Sequence, residues 1–215
     1  MAEAWEMRVT AGRVELRDSP SGGKMFVGYA FRYGVESENL GGFVERVRPG
    51  AATKTVREQD LRGLFNHAPD NLLGRMGAGT LRMGDDGTGM GYQIDRPDTS
   101  LGRDLGVLVA RGDVYGSSFT FQTVGARGVS WSRTERGFPL REIVQMKMRD
   151  VGPVTFPAYP AGGSEVALRS LAEARSLPFE EVIAAAADER LAELLGDPDE
   201  PSKPAATLVR VKRYW

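Results

Sequence analysis

The sequence predicts a mainly β fold with flanking α-helices, and three observations carry that reading. From Trp5 to about Val154, apolar and polar residues alternate in short segments broken by Gly, Asp, Asn and Pro clusters. One stretch inside that region, after Asp98-Thr99-Ser100, switches to helical spacing. From Gly163 onward the chain becomes rich in Ala, Leu, Glu and Arg, as helices are.

The elements follow in order. Residues 25–31, 43–47 and 61–65 read as strands, the last ending at Asn66-His67. Residues 80–83 and 90–94 flank Gly84-Asp85-Asp86-Gly87, where Asp-Gly supplies the positive φ of a hairpin turn. Leu101, Leu105, Leu108 and Val109 then line one helical face, capped by Asp98, Thr99 or Ser100 and stopped by Gly112. Residues 118–124 and 140–148 alternate as strands with one apolar face each. Residues 164–176 and 178–195 read as two closing helices, the second with Pro178, Glu180 and Glu181 in its first turn and Gly196 past its end. One domain is expected over residues 1–196, with a body over about 5–160 and helices over about 164–196. Residues 197–204 carry too much Pro and too little apolar content to fold, so residues 197–215 read as a linker and a basic-aromatic tail.

Composition excludes several function classes. In 215 residues, 28 Lys and Arg stand against 29 Asp and Glu, a formal net charge of −1, so no overall field points to nucleic acid or an anionic membrane. With no Cys and one His, disulfide and thiol chemistry are excluded, and a zinc centre lacks ligands; no metal and no cofactor are expected. No apolar run approaches the roughly 20 residues of a membrane-spanning helix. The N-terminus has no apolar stretch of the secretory kind, so synthesis in the cytosol is expected.

Glycine-rich stretches make poor nucleotide sites. In Ser21-Gly22-Gly23-Lys24-Met25 a Met follows the Lys where a phosphate loop needs Ser or Thr, and Gly74 to Gly79 leads into a strand pattern rather than a helix. Asp85 and Asp86 lack the further oxygen ligands of a calcium loop. Gly116-Ser117-Ser118 resembles a nucleophile elbow, but Thr120 replaces its last Gly and a strand follows it, which disfavours an α/β-hydrolase. His67, at the end of the Leu64-Phe65-Asn66-His67 strand pattern, stands where a rigid element can aim an imidazole.

Five blocks then combine: residues 64–75, 77–81, 97–104, 111–119 and 151–160. In this order and spacing, from about Met25 to about Ala167, they resemble the prohead protease family of tailed phages. That family in turn resembles the herpesvirus capsid-maturation proteases, so the resemblance implies a closed β-barrel surrounded by helices. It implies a serine endopeptidase that cleaves scaffold and major capsid protein segments, and often itself, inside the immature capsid in the host cytoplasm. A homodimer is implied only through the herpesvirus relatives.

Carried over residue by residue, the resemblance puts the nucleophile on Ser118, not Ser117, and the general base on His67. Ser117 departs from the Met that the family more often carries before the nucleophile. The herpesvirus enzymes use a second His as the third member; this chain has none, so a carboxylate must serve. Asp150 leads, because it precedes the Val151-Gly152-Pro153-Val154 block where phage relatives place an acid, with Glu142 and Asp113 in reserve. Backbone N–H groups, with the loop 158–163 as one source, would form the oxyanion hole. Residues 197–215 would serve packaging or self-processing. Two other classes stay open on the residues alone: a non-catalytic capsid-assembly or scaffold-like protein that keeps the fold, and a β-barrel binding module in which His67 and Ser118 lie apart.

Overall fold

The computed structural model describes residues 5–20, 22–156 and 162–196. The linker and tail expected over 197–215 lie outside the described residues. The strands of the first half are β1 (Glu6–Arg13), β2 (Glu15–Asp18), β3 (Lys24–Arg32) and β4 (Val44–Val47). A short helix α1 (Thr53–Glu58) precedes β5 (Arg62–Leu64), β6 (Leu72–Arg75), β7 (Leu81–Asp85) and β8 (Gly89–Asp95). Helix α2 (Ser100–Arg111) then leads to β9 (Gly116–Thr123), β10 (Val129–Arg133), β11 (Pro139–Ile143) and β12 (Met146–Val154). Helices α3 (Gly162–Arg175) and α4 (Phe179–Ala187) close the described chain.

The strands form three open sheets, of order β1-β9-β12-β5-β6, β2-β3-β8-β7 and β10-β11-β4. Pairing is antiparallel except for β12 with β5 and β11 with β4. The closed barrel implied by the family resemblance is therefore corrected: among the described residues no ladder runs round into itself. The ladders stop where the chain crosses between the five- and four-stranded sheets, at Val14 between β1 and β2 and at the tight turn Met76–Ala78 between β6 and β7. Side chains rather than strand pairing join the two sheets there. A Cβ on the paired Gly63 or Gly74 would lie 2.8 or 2.9 Å from the Ile94 side chain, so these glycines let β8 rest directly on β5 and β6.

The main core lies between these sheets and takes in Phe26, Phe31, Leu81, Tyr92, Ile94, Phe119, Phe121, Met148 and Val151, with Leu105 and Val109 supplied by α2. Helix α2 follows the sequence reading: the Thr99 hydroxyl accepts from Gly102 N at 3.1 Å, and Gly112 ends the helix with φ 82°. The closing helices form a second cluster with Phe43, Leu168, Leu171, Val182 and Leu191, joined to β10 by the edge-on pair Phe43–Trp131.

Two further expectations are corrected. Residues 140–148 are not one strand: the chain leaves the three-stranded sheet after Ile143 and enters the five-stranded one at Met146, while Val144 N and Gln145 N both donate to Gly128 O, at 2.8 and 3.1 Å. Residues 178–195 are not one helix either, since α4 ends at Ala187 and a positive φ at Glu189 leads into a tight turn over Leu191–Leu195.

The first strand is tied down by a buried quartet of charges. Arg8 bonds Glu45 at 3.0 Å and Glu6 at 2.7 Å, and Arg141 bonds Glu6 and Glu45, both at 2.7 Å. Burial opposes the Glu45 charge, but Arg8 and Arg141 outweigh it and hold its pKa below the ordinary carboxylate value. β1 is thereby fixed to β4 and β11 across the sheet boundary.

Candidate active site

β9 carries the site because it is the second strand of the five-stranded sheet, flanked by β1 and β12. Side chains alternate along a strand, so Phe119 and Phe121 enter the core while Ser118 and Thr120 share the opposite face. The reading of β9 as a strand with one apolar face is incomplete: the polar face is covered too, and Ser118 is wholly buried. Ser117, turned to the other side, donates to Tyr29 O at 2.7 Å and meets the Tyr92 hydroxyl at 3.0 Å. Burial pushes the Tyr92 hydroxyl well above its usual pKa, which keeps it neutral as a partner.

His67 comes from the turn after β5. Asn66 and His67 both hold φ 55°, a left-handed conformation uncommon outside Gly, which turns the chain back toward β9. Three bonds hold that turn: Asn66 N to Pro153 O at 3.0 Å, Thr155 N to Asn66 Oδ1 at 2.8 Å, and Asn66 Nδ2 to Thr155 Oγ1 at 3.1 Å. A Cβ on Gly152 would lie 2.0 Å from the Leu64 carbonyl oxygen, so only glycine lets β12 pass this close to the end of β5.

Asp150 reaches the same face through a bulge. Met148 pairs with Phe121 on the core side, yet Asp150 pairs with Thr120, so Arg149 is an extra residue that reverses the alternation. The Asp150 carboxylate is wholly buried and fully engaged. Oδ1 contacts His67 Nδ1 and accepts from Thr120 Oγ1 at 3.2 Å; Oδ2 accepts from Arg149 Nε at 3.0 Å. Arg149 is half exposed and lies over the Trp5 ring, 5.2 Å from its centre.

The structure thus brings together His67, Ser118 and Asp150. His67 Nε2 lies 2.7 Å from Ser118 Oγ, and its Nδ1 faces Asp150 Oδ1 and, at 3.0 Å, Thr120 Oγ1. Ser118 has a second acceptor in the carbonyl of Arg8 on β1, at 2.8 Å. The reserves lie elsewhere: Glu142 pairs with Arg48 at 2.5 Å, which lowers its pKa, and Asp113 pairs with Arg111 at 3.0 Å. Residues 158–161 of the loop expected to supply oxyanion donors lie outside the described residues. Among the described residues, no group of His, Asp and Glu is placed to hold a metal ion.

Sequence reasoning passed over Thr120, Arg149 and the Arg8 carbonyl. Thr120 had a signal, since it stands two positions after Ser118 and must share its face. Arg149 had none, because a bulge is decided by the pairing of two strands.

A mainly β protein in which a serine, a histidine and a carboxylate stand in one hydrogen-bonded line falls in the class whose geometry suits acyl transfer by serine. Residues 13–176 match the model of the caudovirus prohead serine protease family, and the chain belongs to that family. β1 precedes the matched stretch except for Arg13. Among solved structures, the bacteriophage T4 capsid assembly protease is similar at 16% identity and a TM-score of 0.46, over 70% of this chain and 96% of that one. Comparison with curated proteins finds no match.

Proposed function

We propose that this chain is a serine endopeptidase of phage procapsid maturation that cleaves scaffold and capsid-protein segments, and its own chain, inside the procapsid in the host cytoplasm. The observation that supports it most is the 2.7 Å contact between His67 Nε2 and Ser118 Oγ in a member of this family. Ser118 is the nucleophile, His67 the general base and Asp150 the third member.

A serine hydroxyl is a weak nucleophile near neutrality and needs a base in contact with it. As Ser118 Oγ bonds to the scissile carbonyl carbon, its proton passes to His67 Nε2, and Asp150 stabilises the resulting imidazolium through Nδ1–H. Collapse of the tetrahedral intermediate breaks the C–N bond, and the leaving amine takes the proton from Nε2. Water then hydrolyses the acyl-enzyme by the same route in reverse order. Ser118 gives its single proton to either His67 or the Arg8 carbonyl, so the reactive state is the one in which His67 holds it. Because Ser118 is wholly buried without substrate, acylation starts with a local opening of its cover.

Co-expression with the cognate major capsid and scaffold proteins tests the reading. Mass analysis is expected to show shortened capsid protein with the wild-type chain and full-length protein with Ser118→Ala. Equal processing in both would sink the proposal in favour of a non-catalytic assembly role.

A further inference from the structure

The Thr120 hydroxyl touches both members of the His67–Asp150 contact, and the triad reading does not use it. Its Oγ1 lies 3.0 Å from His67 Nδ1 and 3.2 Å from Asp150 Oδ1, and the residue is buried. Resting on the peptidase reading above, we propose that Thr120 is a positioning residue that sets the tautomer of His67.

Proton counting carries the argument. A hydroxyl has one proton to donate and two lone pairs that accept, whereas a carboxylate only accepts. The proton of Thr120 therefore goes to Asp150 Oδ1, and Thr120 presents only lone pairs to the imidazole. His67 Nδ1 then faces two acceptors, Asp150 Oδ1 and Thr120 Oγ1. The neutral ring satisfies both only when its proton sits on Nδ1. Nε2 is left with a free lone pair, 2.7 Å from Ser118 Oγ, as a base must be. The opposite tautomer would set a bare Nδ1 against two oxygens and block Nε2 with its own hydrogen.

Thr120 also restrains the carboxylate. Arg149 holds Oδ2 and Thr120 holds Oδ1, so Asp150 is gripped at both oxygens. A β-branched side chain is stiff at χ1, which keeps the hydroxyl aimed. The strand that carries the nucleophile thus carries the group that readies its base.

The test compares Thr120→Val, which keeps the shape and removes the hydroxyl, with Thr120→Ser, which keeps the hydroxyl; Thr120→Ala serves as a second hydroxyl-free variant if valine prevents folding. Circular dichroism of each full-length, tag-free chain establishes folding. The first readout is NMR of the imidazole nitrogens, which belong to His67 alone because the chain has one His. A single Nδ1–H tautomer is expected in wild type and Thr120→Ser, and a mixture in the hydroxyl-free variants. The second is the rate at which a fluorophosphonate probe labels Ser118, followed by intact mass. It is expected to fall about ten-fold or more without the hydroxyl and to stay within about three-fold in Thr120→Ser, as for a hydrogen bond to a charged group.

A hydroxyl-free variant with wild-type tautomer and labelling rate overturns the proposal. So does a Thr120→Ser chain that loses as much as Thr120→Val, since side-chain shape would then be what matters. If wild type takes no probe while the tautomer still follows the hydroxyl, the peptidase reading fails and the positioning role stands.

Discussion

Asp150 stands opposite Thr120 across the β9–β12 ladder, one step out of the phase set by Met148 and Phe121. The displaced phase is the work of Arg149, and it is what turns a core-side position into a site-side one. Excising Arg149 should restore regular pairing and leave Asp150 opposite Thr120 on the site face, deprived only of the guanidinium that holds its Oδ2. Labelling of Ser118 by a fluorophosphonate is then expected to fall far less than in Asp150→Asn, whose loss should reach about 10³–10⁴. A deletion variant that folds and loses as much as Asp150→Asn would show that the extra residue itself is needed to aim the carboxylate.

Ser117 and Ser118 are neighbours with opposite surroundings, so they should separate stability from activity. Ser117→Ala removes a buried hydrogen bond to Tyr29 O and the partner of the Tyr92 hydroxyl. A loss of about 1–3 kcal/mol in urea unfolding is expected, with labelling kept. Ser118→Ala should abolish labelling in a folded chain. The reverse outcome would transfer the nucleophile to Ser117.

Gly152 passes the Leu64 carbonyl so closely that one methyl has no room. Gly152→Ala should push the end of β5 from β12 and carry His67 with it. Urea unfolding is expected to show a loss of about 1–3 kcal/mol or more, with labelling reduced as well. Unchanged labelling would mean that the His67 turn is placed independently of β12.

The charge quartet gives the fold an acid limb. The folded-state pKa of Glu45 lies below its unfolded value, because Arg8 and Arg141 outweigh the cost of burial. Its contribution is therefore present above the unfolded value of about 4.3 and is lost as pH falls through the folded one. Melting temperatures taken against pH should decline below about pH 4.3, with a flatter limb in Glu45→Gln. At neutral pH that variant should lose about 3–5 kcal/mol, since the buried guanidinium of Arg141 loses a charged partner. A Glu45→Gln chain as stable as wild type would remove the quartet from any account of how β1 is held.

Much of the fold is legible where local chemistry decides it. Helix α2 is written in Thr99, the Leu105–Val109 spacing and Gly112, and the β7–β8 hairpin in Asp85-Asp86-Gly87. His67 and Ser118 stand out as individual residues through the blocks that contain them, and Asp150 through the block that it precedes. Their contacts are not legible, because the two positive φ values at Asn66 and His67 and the bulge at Arg149 arise only when β5, β9 and β12 pair. The split of residues 140–148 between two sheets has the same cause: both halves alternate, and the break is imposed from outside by Gly128 O. The barrel expectation came from relatives, and the corners at Val14 and Met76–Ala78 are local features that kinship does not reveal.

The parallel laying of β5 beside β12 has a consequence in time. His67 stands 51 residues before Ser118 and 83 before Asp150, so no local stretch of chain contains all three. Such long-range pairings close late in folding. Until β12 has been synthesised and has joined the sheet, Ser118 lacks the line of contacts that runs through His67 to Asp150. On the proposed peptidase reading, a nascent or half-folded chain would therefore spare the proteins around it until the sheet is complete.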